Sequence, residues 1–234
     1  MEYNTAFYNV IRGDEQRIRL GEGCPNGCSY CYAPKELISY DIPDIKKNRV
    51  SIMDMNFLYN PAHKERIIEL GNKRVGGKVV YYELICGIDF RLLDLETAKI
   101  LKANRFRNIR FAWDYGLELQ YKLKDCYSKL IKTGYKANEL TVFMLCDWKI
   151  SFNECLLKLG LLKIWGVGVS DCWYDNVKPP NYQGNNWTME ECKLFRGLCG
   201  IHNQSIRFQI YPDLPRAKRV FFLLNNLKCQ RKLF

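Results

Sequence analysis

Strand-like and helix-like segments alternate along nearly the whole of this 234-residue chain, and that alternation limits the fold more than any other feature. Six short runs rich in apolar, β-branched or aromatic residues read as strands: residues 17–22, 78–86, 108–114, 140–147, 163–170 and 205–211. Several are continuously apolar, as in Val79-Val80-Tyr81-Tyr82 and Val142-Phe143-Met144-Leu145. Such runs suit strands covered on both faces, as in parallel sheets. Helical patterns occupy residues 62–70, 94–102, 117–132, 151–159, 188–198 and 214–227. Asp94 is an N-cap candidate, and Ser151-x-x-Glu154 and Thr188-x-x-Glu191 read as capping boxes. Gly160 and Gly200 read as helix stops, and Pro215 falls in the first turn of the last pattern. Strand–helix alternation predicts a parallel sheet with right-handed crossovers. The fold class expected is α/β, an open partial (β/α)6 barrel resembling three quarters of the eight-unit barrel. No Gly/Ser/Pro linker interrupts the pattern, so residues 1–234 read as a single core domain. In such folds chemistry gathers at the carboxyl ends of the strands.

The first strand runs directly into Cys24-Pro-Asn-Gly-Cys28-Ser-Tyr-Cys31-Tyr32. The spacing C-x3-C-x2-C offers three thiolates to one metal centre, and soft thiolates select iron–sulfur clusters, zinc or copper(I). A [4Fe-4S] cluster usually takes four cysteines, so a loop supplying three would leave one iron open. The competing readings are a zinc site and three unrelated thiols. Zinc lacks its usual second C-x2-C pair or an H-x3-H, because His63 and His202 are the only histidines and lie far apart.

With Tyr30 in the aromatic place, the loop resembles the motif C-x3-C-x2-aromatic-C of the radical S-adenosylmethionine (radical SAM) superfamily. The resemblance implies a [4Fe-4S] cluster on Cys24, Cys28 and Cys31, with S-adenosylmethionine chelating the open iron. It also implies reductive cleavage to a 5′-deoxyadenosyl radical that abstracts hydrogen from a substrate, and a reductant protein such as flavodoxin or ferredoxin. The partial barrel is the core fold it implies. Further cofactor contacts are carried over by strand ends. The family often shows Gly-Gly-Glu after the second strand, where this chain has Gly87 and Asp89 in Glu83-Leu-Ile-Cys-Gly87-Ile-Asp89-Phe90, a partial match. Asp147 after the fourth strand, Gly168 in the fifth, Tyr211 at the sixth and the backbone at Tyr30 complete the set. Each has a plainer alternative as turn, cap or packing residue.

The irregular segment 172–187 is long, aromatic and rich in amides, and reads as a substrate-facing loop carrying Trp173, Tyr174 and Trp187. Residues 41–60 form the other candidate wall. Cys172, Cys192, Cys199 and Cys229 raise an auxiliary cluster as a lesser reading, since free cysteines are also common buried apolar residues. The formal net charge of +11 suggests an anionic substrate such as a nucleotide, RNA or peptide, or simply a solvated basic surface. No apolar run reaches membrane-spanning length and no signal peptide is evident. Eleven cysteines then fit a reducing compartment, the cytoplasm, with no membrane partner. Two functions besides the radical SAM enzyme remain at this level: a glycyl-radical activase acting on a protein, and a metal-containing nucleic-acid-binding module.

Overall fold

The computed structural model describes residues 8–173 and 187–207. They form a mixed α/β structure with parallel strands, divided by its internal contacts into two compact units. The first holds the described residues up to Ala112 together with Leu119–Leu140; the second holds Trp113–Glu118 and the described residues from Thr141 onward.

In the first unit, β1 (Asn9–Arg12) and β2 (Glu15–Ile18) form an antiparallel hairpin. The chain continues from β2 through two short strands, β3 (Gly21–Glu22) and β4 (Ile38–Ser39), which pair with each other as a separate antiparallel ribbon. β5 (Arg49–Ile52) then lies parallel to β2. Helix α1 (His63–Asn72) and a small antiparallel pair, β6 (Arg74–Val75) and β7 (Lys78–Val79), lead to β8 (Tyr81–Leu84), which is parallel to β5. Helix α2 (Leu95–Ala103), β9 (Arg110–Ala112) and α3 (Gln120–Lys132) follow.

The period-2 alternation gives this sheet two unlike faces. Ile18, Val50, Ile52, Tyr82 and Leu84 are buried on one face. The Tyr82 hydroxyl donates to the carbonyl of Leu70 in α1 at 2.6 Å, and its ring stacks on Phe106 at 5.1 Å. Ile67 and Leu70 of α1 and Ala98 and Leu101 of α2 complete this core. Burying each large aliphatic side chain is worth roughly 1.5–3 kcal/mol relative to exposure. The other face carries Glu15, Arg17, Arg49, Tyr81 and Glu83, which the register sets side by side.

In the second unit, β10 (Thr141–Cys146) and β11 (Gly168–Trp173) are parallel and joined through α4 (Phe152–Trp165); α5 (Met189–Arg207) packs on β11. Lys158 of α4 is fully buried. Its ammonium donates to the carbonyls of Trp113 and Tyr115, which satisfies the charge and fixes the chain entering this unit.

The structure departs from the sequence pattern at four places. β5 lies within residues 41–60, taken above as a loop wall; four residues with an arginine and a serine carry too weak an apolar signal. The run 78–86 divides into the antiparallel β7 and into β8, which is therefore the third parallel strand of its sheet, not the second. The fifth strand is displaced from 163–170 to β11, because α4 runs through Gly160 and stops only at Gly166, in the left-handed conformation with φ 69°. Gly160 faces open space, so it costs the helix only about 1 kcal/mol. Gly200 likewise lies inside α5, as does the start of the sixth predicted strand. The remainder of that strand and the pattern at 214–227 lie outside the described residues.

Asp94 caps α2 as its sequence position predicts, its carboxylate accepting the Thr97 N–H. Asp94→Ala is expected to lower the unfolding free energy by about 1 kcal/mol. Urea denaturation checks this, and an unchanged midpoint would contradict the cap.

Candidate metal centre

β2 and β3 deliver the chain to Gly23, the residue before the first cysteine. Gly23 has φ 91°, and a Cβ there would stand 1.8 Å from the carbonyl oxygen of Glu36. Only glycine permits this approach. The Cys24 N–H donates to the Pro34 carbonyl at 2.8 Å, and the β3–β4 pair lies just below. The cysteine segment is thus an excursion whose two ends are tied together. Inside it, Gly27 has φ 58° and the Cys31 N–H donates to the Cys28 carbonyl at 2.9 Å.

Cys24 and Cys28 are half-buried and Cys31 is exposed. Among the described residues, no three His, Cys, Asp or Glu side chains stand in a ligating arrangement. The loop therefore brings its cysteines onto one short turn without closing their sulfurs into a ligand set. Its surroundings nonetheless suit iron–sulfur chemistry. The Asn56 amide donates to Cys24 Sγ at 3.5 Å and the Ala33 N–H donates to Cys31 Sγ at 3.4 Å. Donors aimed at cysteine sulfur are one of the levers by which proteins stabilise and tune such clusters. The donor set, three soft thiols with no histidine, fits the [4Fe-4S] group.

A second tie comes from beyond β8. Gly87 is buried with φ 84° and turns the chain toward Asp89. Asp89 accepts from the Asn26 amide at 2.9 Å and from Arg91, through the main-chain N–H at 3.1 Å and Nε at 2.7 Å. Burial pushes its carboxyl up, but the hydrogen bonds from Arg91 and Asn26 outweigh that and hold it below the usual range. Asp89 thus secures the cysteine loop to the carboxyl end of β8.

A third support was not legible as such in the sequence. Past β5 the chain reads Met53-Asp54-Met55-Asn56. Asp54 Oδ1 accepts the Leu20 N–H at 2.7 Å, fixing the exit of β2. Burial raises its pKa to about 6 despite the hydrogen bonds from Leu20 and Gly21. Asn56, besides donating to Cys24, keeps a buried Oδ1 with no hydrogen-bond partner. Both border a cavity of about 220 Å³ lined also by Gly21, Gly23 and Leu37. Reading Val50-Ser-Ile52 as a strand would have placed both residues at a carboxyl end.

The remaining candidates divide by position. Tyr30 is half-buried beside the cysteines. Asp147 lies just past β10 with φ 60°, and its Oδ1 accepts the Trp187 N–H at 3.1 Å. Gly168 begins β11 opposite Thr141, so it sits at the amino end of its strand, and the strand-end argument for it is corrected. The cause is the extra length of α4. Trp173 ends β11 and donates to Asp171 at 2.6 Å; Trp187 is buried, donates to the Ile150 carbonyl at 2.8 Å and meets Trp173 edge-on at 5.5 Å. The ends of the loop 172–187 are therefore anchored near the carboxyl ends of β10 and β11. Tyr174, Tyr211 and Cys229 lie outside the described residues. Cys172 and Cys192 are half-buried and Cys199 is buried.

No protein-family model matches the sequence, and no curated protein matches it. The structure does resemble a solved one: TsrM, a radical SAM methyltransferase from Kitasatospora setae, with cobalamin and a [4Fe-4S] cluster bound. The TM-score is 0.55 at 13% identity, over 67% of this chain and 36% of that one. Over that two-thirds of its length the chain shares the fold of this neighbour, of which it spans about a third. Among the described residues no helix is long and apolar enough to cross a membrane.

Gly23→Ala is expected to abolish most iron loading on reconstitution, because a methyl group cannot coexist with the Glu36 carbonyl at its present position. Gly160→Ala, which meets nothing within 4 Å, serves as the control. Normal iron content in Gly23→Ala would show that the tie is dispensable.

Asp54 also makes stability depend on pH. Its folded pKa of about 6 stands above the ordinary aspartate value of 3.8, so its contribution is fully present below pH 4 and is lost as pH rises through 6. The difference corresponds to about 3 kcal/mol. Asp54→Asn is expected to remove this component from urea-denaturation curves between pH 4 and 7. An identical pH slope in the variant would contradict it.

Proposed function

We propose that the chain is a radical SAM enzyme whose three-cysteine loop holds a [4Fe-4S] cluster. The observation that carries this reading is the motif Cys24-x3-Cys28-x2-Cys31 on a tied loop that leaves the carboxyl end of β2, in a fold shared with a radical SAM methyltransferase. A cluster bound there would supply the electron for reductive cleavage of S-adenosylmethionine to a radical that abstracts hydrogen from substrate. The chain's own residues have four tasks. Cys24, Cys28 and Cys31 would ligate the cluster and, being three, would leave one iron to the cofactor. Asn56 and the Ala33 N–H stabilise thiolate charge by donating to sulfur. Asp89, through Asn26, keeps the loop against the end of β8. Within the first unit, the backbone at Tyr30 and Gly87 is the proposed lining for S-adenosylmethionine.

On this reading residues 1–234 make one core domain of the partial (β/α)6-barrel type. The segment 172–187 covers the substrate, and an external reductant protein of the flavodoxin or ferredoxin kind delivers the electron. Methyl transfer and cobalamin are properties of TsrM.

Anaerobic reconstitution is expected to give about four irons per chain with broad visible absorption. With dithionite and S-adenosylmethionine the protein then releases 5′-deoxyadenosine, and Cys28→Ala loses both properties. Stoichiometric zinc with no iron uptake, or a loaded cluster that never cleaves the cofactor, would overturn the proposal.

A further inference from the structure

The polar face of the first unit's sheet lines a cavity of about 620 Å³, within the size range of small-molecule sites. Four arginines border it, Arg17, Arg49, Arg107 and Arg110, against two glutamates, Glu15 and Glu83. They come from distant parts of the chain, and the strand register assembles them: Glu15 stands beside Arg49, and Arg17 beside Ser51, which stands beside Glu83. In the sequence Arg49, Arg107 and Arg110 are merely scattered basic residues.

The carboxylates orient these cations without saturating them. Glu15 bridges Arg17 at 3.2 Å and is itself fixed by the Ser51 hydroxyl. Glu83 bridges Arg110 at 2.8 Å and accepts from Asn108 at 2.7 Å. Arg49 pairs with Asp14, outside the cavity, at 2.9 Å. The Arg107 guanidinium lies over the Tyr81 ring, 3.4 Å from its centroid, which holds it flat at the wall. A guanidinium carries five N–H donors, and one carboxylate contact uses one or two of them. Ion pairs as accessible as these contribute little to stability, so an incoming oxoanion exchanges with them at low cost.

We propose that this cavity binds a phosphorylated small molecule through Arg17, Arg49, Arg107 and Arg110. A phosphate monoester brings a charge of about −1.5 to −2 and three acceptor oxygens, which suits a cavity lined by four guanidiniums and two carboxylates better than a single carboxylate does. Its role as the enzyme's substrate rests on the radical SAM reading above; the anion site itself does not. The cavity floor is the sheet whose strand β2 runs into the cysteine loop, so one unit carries both features.

The test is calorimetric titration of the reconstituted 234-residue protein with inorganic phosphate and pyrophosphate in low-salt buffer. Iron content is measured on the same sample. Saturable binding is expected, weakened about tenfold in Arg107→Gln and in Arg110→Gln, the size of one lost charge-assisted contact. Lys99→Gln, at an exposed position on α2, should bind as the parent does. Circular dichroism establishes that the variants fold, and Arg107, being exposed, is the safer of the two. Absence of binding, or equal weakening in Lys99→Gln, overturns the proposal. So does malonate binding as tightly as phosphate, and so does binding of single-stranded RNA that phosphate does not displace. Phosphate binding by protein that takes up no iron would refute the radical SAM reading alone. Iron-loaded protein that ignores phosphate would refute this site alone.

Discussion

The close approach of Gly23 to the backbone of Glu36 is the constraint on which the candidate metal centre depends. It ties the two ends of the cysteine excursion to each other, with the Cys24–Pro34 hydrogen bond and the β3–β4 pair as reinforcement. A loop closed at its base loses most of its conformational freedom before any metal arrives, so less entropy remains to be lost on ligation. Two side chains then connect the tied loop to the sheet. Asn56 reaches Cys24 from beyond β5, and Asp89 reaches Asn26 from beyond β8. Three successive parallel strands therefore each contribute one element at their carboxyl ends: thiols, an amide donor, and a carboxylate anchor. Asp54 belongs to the same construction, since it holds the exit of β2 at the expense of burying a carboxyl group.

The same sheet separates its two jobs by strand periodicity. One face is closed by α1, α2 and a stack of Tyr82 on Phe106, and supplies rigidity. The other keeps charged side chains in register around a cavity. A strand such as Arg49-Val-Ser-Ile52 serves both, with Val50 and Ile52 in the core and Arg49 at the cavity. This arrangement is why a single substitution at Arg107 can be read as a change in ligand binding, whereas one at Tyr82 would disturb the core.

Much of this was written in the sequence, and the exceptions have physical causes. The cysteine spacing, the cap at Asp94 and the reciprocal pairing of Thr188 with Glu191 are local codes, and they are legible because they need only neighbouring residues. The continuously apolar β10 is legible for the same reason. β5 is not, because its assignment depends on partners β2 and β8, which are remote in sequence. Missing it hid Asp54 and Asn56 and misnumbered the strand before Gly87. Gly160 misled in the opposite sense: its cost in α4 is small and packing overrides it, so Gly166 ends the helix and Gly168 shifts to the start of β11. Ser151 caps α4, but Glu154 does not complete the box; its carboxylate accepts the Leu117 N–H instead, a partner only the folded chain provides. The arginine cavity is likewise a product of register, invisible to any count of basic residues.

The central claim is that three cysteines on a tied loop hold a cluster with one iron left to S-adenosylmethionine. Mössbauer spectroscopy of the iron-57-reconstituted protein, before and after adding the cofactor, addresses it most directly. The account predicts that one iron site of the cluster changes its parameters on addition while the others keep theirs. A spectrum that S-adenosylmethionine leaves unaltered, or a cluster whose irons all have protein ligands, would contradict it.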